Sequence, residues 1–211
     1  LGAAIAILSP VLIDNIQRQR QAKRIKAVLA LELHEVRYRL VLIAGQLRQS
    51  LGQSNRKHIQ WQLAALAAYR GPNRIPDVEA VFTQMLSHSD ADLTQAFEIS
   101  RQRGENTGFR MKPYTAPYLE AHLHVFADFA LHLQIALLDF KQYLELYNAE
   151  VDIANGHFAL TFELNGANHQ IASQNLQKSY QNLARMAVGL VGKANTALSL
   201  IDPSWKAIAQ P

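Results

Sequence analysis

Four side chains at intervals of four residues, Glu120, His124, Asp128 and His132, with His122 beside them, come nearest in this chain to a reactive centre. On one helix, residues four apart stand above one another. A column of carboxylates and imidazoles offers oxygen and nitrogen ligands to a divalent metal, or an acid and a base to a substrate. It founds one functional expectation: a metal-dependent or acid–base enzyme using Glu120, His124 and Asp128. The helical register argues against it. With Leu123 and Phe126 at the seam positions a and d, the four polar residues fall at e, b, f and c, whereas a metal centre inside a bundle needs inward ligands and paired Glu-x-x-His motifs. Exposed or mutually paired side chains are the better reading, and no catalytic residue is assigned.

Other chemistry is sparse. There is no cysteine, which excludes disulfides, thiolate metal sites and a cysteine nucleophile. The run Gly189-Leu190-Val191-Gly192-Lys193 is no phosphate loop, because Ala187 replaces its first glycine and Ala194 the hydroxyl residue that holds magnesium. Glu32, His34 and Glu35 form a smaller cluster, in which Glu35 and Arg39 read as a surface ion pair one turn apart. Arg110, Lys112 and Tyr114 lie in the longest irregular stretch, residues 104–117, and are expected to form a mobile, partner-binding loop.

The elements that must position these residues are helical almost throughout. Leu29, Leu33, Val36, Leu40, Ile43 and Leu47 alternate steps of four and three, as do Leu119, Leu123, Phe126, Ala130, Leu133, Leu137, Phe140, Leu144 and Tyr147. Leu176, Tyr180, Leu183, Ala187, Leu190, Ala194, Ala197 and Ile201 follow a similar rule. Three such seams predict an all-α fold, an antiparallel helical bundle of about four to five helices. Leu131, Ile135 and Leu138 add a second apolar stripe to the middle helix, which is therefore expected to be central. In residues 157–164, Phe158, Leu160, Phe162 and Leu164 alternate with smaller or polar residues between Asn155-Gly156 and Asn165-Gly166, so a small β-hairpin insertion is expected near residues 150–165.

Charge divides the chain. Residues 1–57 hold ten Lys/Arg against three acids, and the remainder holds eleven against fourteen. Residues 1–13 carry no charge, and Arg18, Arg20, Lys23, Arg24 and Lys26 follow them. At 100° per residue these five stand at about 0°, 200°, 140°, 240° and 80°, most of the way round a helix. A duplex needs one basic face, so nucleic-acid binding through residues 18–26 is the weaker alternative. A helix standing upright among anionic headgroups meets phosphate on every side.

The division expected is an apolar segment and basic juxtamembrane helix over residues 1–26, then a helical bundle over residues 27–211. With Leu rather than Met in first place the chain reads as a fragment or processed form, and residues 1–13 as the C-terminal part of a membrane anchor of about 20 residues. The layout resembles that of small bacterial proteins with one N-terminal anchor and a helical cytoplasmic body. It implies a single-pass inner-membrane protein with the bundle cytoplasmic; a soluble cytoplasmic protein is the alternative. The expected function is a membrane-tethered binding or scaffold module working through helix-face contacts. Its expected partners are an anionic membrane surface and a protein partner or a second copy, with no cofactor and no small-molecule substrate inferred.

Overall fold

The computed structural model describes the backbone of residues 2–104, 108–206, 209 and 211, and among these every side chain except those of residues 2–12, 14, 103 and 104. The chain is all-α: helices α1 (Gly2–Ser50), α2 (Arg56–Ala67), α3 (Val78–Ser87), α4 (Asp90–Gly104), α5 (Pro117–Ala121), α6 (Leu131–Glu163) and α7 (Gly166–Ile201), with a 3-10 helix, Leu123–Asp128, between α5 and α6. No strand occurs among the described residues.

Helices α1, α6 and α7 carry the core, and the heptad seams explain why. Leu29, Leu33, Leu40 and Leu47 of α1, Leu133, Leu137, Phe140 and Tyr147 of α6, and Leu183, Ala187, Leu190 and Ala194 of α7 are all buried in one cluster. Helix α7 is the central element, packing on both α6 and α1. Its buried positions come as adjacent pairs, Leu183-Ala184, Ala187-Val188, Leu190-Val191 and Ala197-Leu198. A single seam has no use for adjacent positions, whereas a face wide enough for two neighbours does. This corrects the expectation that α6 is central: Leu131, Ile135 and Leu138 are exposed.

Helices α6 and α7 form an antiparallel hairpin. Lys193 Nζ meets Asp139 Oδ2 at 2.5 Å, and Asn182 lies across from Glu150. The reversal falls at Leu164 and Asn165, both extended, and is completed by Gly166 at φ +61°, a conformation other residues rarely adopt. The Asn165-Gly166 pair is thus a turn, as its residue types suggest, but between two helices. The expected β-hairpin is absent, because α6 runs unbroken to Glu163. Its buried positions continue as Val151 and Ala154, with Phe158 packed against the core. Helical continuation buries these on the bundle, where a lone hairpin would have no sheet to join.

The middle seam is interrupted twice, at His122 and at Phe129-Ala130. The expected helix through residues 119–147 is three pieces: α5, the 3-10 helix, and α6 after a kink at Phe129 and Ala130, whose ψ angles of 156° and 140° are not helical. The kink sets Phe126 and Phe129 together in the core, 5.5 Å between ring centres, with Lys26 of α1 over the Phe129 ring at 5.2 Å. Helices α2, α3 and α4 form a small flank with its own apolar group, Ile59, Leu93 and Phe97.

Candidate functional site

The kink separates the residues whose spacing first suggested a metal. Glu120 ends up on α5, His124 and Asp128 on the 3-10 helix, and His132 in the first turn of α6, all four exposed. A column at intervals of four exists only on one continuous α-helix. Among the described residues no group of three or more His, Asp or Glu side chains is placed to hold a metal ion. His122 stacks on Tyr118 at 3.9 Å and bonds that residue's carbonyl through Nδ1 at 2.9 Å. It helps close α5.

The stretch expected to be a mobile loop is tied down where it is described. Residues 105–107 lie outside the described residues. From residue 108 onward the chain lies extended along α6 and α7. Asn155 accepts the Met111 N–H and donates to the Met111 carbonyl, both at 2.9 Å, and Asn148 does the same for Tyr114 at 3.0 and 2.7 Å. The Tyr180 hydroxyl accepts the Phe109 N–H at 2.8 Å and donates to its carbonyl at 2.6 Å. Seven residues of helix rise about 10.5 Å, and three extended residues span about 10 Å, so two asparagines two turns apart match Met111 and Tyr114. Each primary amide imitates the donor–acceptor pair of a neighbouring strand. Tyr114 is half-buried, its ring 6.0 Å from Tyr147, while Arg110 and Lys112 point to solvent.

A polar cluster that the sequence reading missed lies where α1 meets α2 and the chain after α7. Arg37 is fully buried. Its Nε donates to Asn195 Oδ1 at 2.7 Å and one terminal nitrogen to the Ala65 carbonyl at 3.0 Å, and the guanidinium lies 5.0 Å from the Trp205 ring. Among the described residues no carboxylate pairs with it. Burial pulls its pKa down to about 10, so it stays charged near neutrality. Arg70 lies 5.4 Å from the same indole and bonds Asp202 at 2.9 Å. His34, also buried, meets Trp205 edge-on at 4.8 Å. Burial first, then Arg37 and Arg70, lower its pKa to about 4, so it is neutral at pH 7. Beside it the Tyr69 hydroxyl bonds Glu35 and accepts the Asn73 N–H at 2.9 Å. Glu35, read as one end of a surface pair with Arg39, is thus mainly the partner of Tyr69; its oxygen approaches Arg39 only to 4.0 Å. Glu32, of the same sequence cluster, caps α5, taking the amides of Tyr118 and Leu119 at 2.7 and 2.8 Å.

No protein family, curated protein or solved structure matches this chain. The Arg37 cluster is sealed, and its chemistry is that of a latch holding Trp205 on the bundle. A recess of about 250 Å³ opens between the start of α2 and α4, lined by Asn55, Arg56, Lys57, Asp90 and Phe97 among others. Its Arg56 and Asp90 are already committed, since Arg56 binds Asp90 and the carbonyls of Leu86 and His88.

The basic run presents a different surface. Helix α1 is continuous from Gly2, and among its described side chains the first buried ones are Ala22 and Ile25. Residues 15–21, among them Arg18 and Arg20, are exposed on every side, and Lys23 and Arg24 are exposed one turn further on. Lys26, half-buried over Phe129, is where this stretch joins the bundle. Concerning the expected span, no helix among the described residues is long and apolar enough to cross a membrane.

Proposed function

We propose that this chain is a helical binding module held at an anionic membrane surface by the first part of α1. Arg18, Arg20, Lys23, Arg24 and Lys26 act as a collar among lipid phosphates, with the uncharged sequence up to Ile13 on its lipid side and the bundle facing water. The observation that carries the reading is the exposure of residues 15–21 in a helix whose first buried side chain, among the described residues, is Ala22. A helix segment that buries nothing on its own bundle and carries cations around its circumference gains most from a medium that is anionic on all sides. The remaining sequence, with eleven Lys/Arg against fourteen acids, has little attraction to that surface and stays clear of it. Work is then done by helix faces, concentrated by attachment.

Co-sedimentation with vesicles tests this. Wild type is expected to pellet with phosphatidylserine-containing vesicles and much less with phosphatidylcholine alone. At about 1 kcal/mol per cation near the surface, replacing Arg20, Lys23 and Arg24 together by Gln weakens binding on the order of a hundredfold. These side chains are exposed, so the thermal midpoint stays unchanged. A triple variant that pellets as wild type does overturns the proposal.

A further inference from the structure

The segment that follows α7 closes on the bundle through a single ring. Of residues 202–206 only Trp205 is buried, against His34, Arg37 and Arg70. Most of the segment's hydrogen bonds are its own or reach back to α7: the Asp202 N–H to the Leu198 carbonyl, the Trp205 N–H to the Asp202 carbonyl, and Ser204 to the Asp202 carboxylate. Among the described residues the Arg70–Asp202 pair is its one hydrogen-bonded tie to another part of the bundle. Both of those side chains reach solvent, where an ion pair holds weakly. Trp205 does most of the holding.

That contact leaves polar atoms unpaired. His34 Nδ1, one terminal nitrogen of Arg37 and Trp205 Nε1 are all buried without a hydrogen-bond partner. A buried polar group left unpaired is unfavourable, and each of these regains a partner in water once Trp205 moves off. The charges around His34 act in the same direction. Glu35 and Arg37 face it from α1, Tyr69 and Arg70 from the chain after α2, and Asp202 and Trp205 from the segment itself. Asp202 is committed to Arg70 and Glu35 to Tyr69. A proton on His34 therefore adds a third cation around one indole, with neither carboxylate left to receive it.

We propose that residues 202–206 form an acid-released latch, in which a proton on His34 drives Trp205 off the bundle and opens the seam between α1 and the end of α2 to water. Helices α1, α6 and α7 stay packed through their own seams. Linkage fixes the sign. Burial, then Arg37 and Arg70, hold the latched imidazole at about 4, and opening returns it toward the ordinary 6.5. Above pH 6.5 the proton gives opening no advantage. As pH falls toward 4 the advantage grows, reaching up to about thirtyfold at pH 5. Asp202 stays ionised over this window, because the Ser204 hydroxyl and amide, and then Arg70, hold its carboxyl below the usual carboxylate range.

The two tryptophans of the chain give a test within one molecule. Both indole N–H groups are buried and unpartnered, Trp205 in the latch and Trp61 on α2. The ratio of their hydrogen-exchange rates, followed by NMR, thus cancels the intrinsic effect of pH, and global unfolding exposes both alike. In wild type the Trp205 rate is expected to rise about ten- to thirtyfold relative to that of Trp61 between pH 7.5 and pH 5, with helical circular dichroism unchanged. His34→Gln and His34→Leu, one polar and one apolar replacement that cannot take the proton, leave the ratio flat. A flat ratio in wild type overturns the inference, and so does an equal rise in either variant that folds. The measurement involves no lipid, so its outcome is independent of the membrane reading.

Discussion

At the scale of single residues, Arg37 is a charge with neutral partners. Truncation to Ala leaves the Asn195 oxygen and the Ala65 carbonyl unpaired beneath Trp205 and opens a cavity, so Arg37→Ala is expected to cost about 3–4 kcal/mol in urea unfolding. Arg37→Met, which fills most of that volume without a charge, costs less. Equal unfolding midpoints for wild type and Arg37→Ala would contradict this. His34 sets a pH dependence of definite sign. Its folded pKa of about 4 lies below the ordinary 6.5, so the unfolded chain binds the proton first. The penalty is absent above pH 6.5, grows as pH falls through that value, and levels off below pH 4, amounting to about 3 kcal/mol. Thermal melts between pH 7.5 and 4 are expected to show a shallower decline for His34→Gln than for wild type; parallel curves would refute it. None of this was legible in the sequence. An arginine in a helix already rich in cations gives no local signal when its partners lie 28 and 158 residues away.

Whole elements were legible where burial repeats at short range. The seams of α1 and α7 follow from steps of four and three, because every such residue meets the same neighbour over several turns. Sequence patterning failed where a long-range contact decides. Residues 157–164 alternate as a strand does, yet Val151, Ala154 and Phe158 continue the α6 core face, and the adjacent Asn155 is committed to Met111. The kink after Asp128 escaped notice for the same reason, since Phe126 and Phe129 are drawn to α1. The strap over residues 108–116 carries a prediction of its own. Asn155→Ala and Asn148→Ala each remove two hydrogen bonds to backbone groups, and each is expected to cost about 1–2 kcal/mol. Hydrogen exchange localises the effect: Asn155→Ala speeds exchange at the Met111 amide and Asn148→Ala at Tyr114, with the α7 core amides still protected. Uniform loss of protection across the bundle would show that the strap is not a separable unit.

The molecule as a whole is a three-helix core with a basic helix extending from it. The asymmetry of charge was visible in composition, and the angular spread of the cations in their positions; that residues 15–21 are exposed ahead of Ala22 required the fold. The most direct test of the account is a partition at matched salt between phosphatidylserine-containing vesicles and duplex DNA, with wild type present at one concentration. The account predicts that the protein pellets with the vesicles and is retained there as duplex is added, because its cations ring the helix instead of forming one docking face. Tight duplex binding with the vesicles ignored would contradict it.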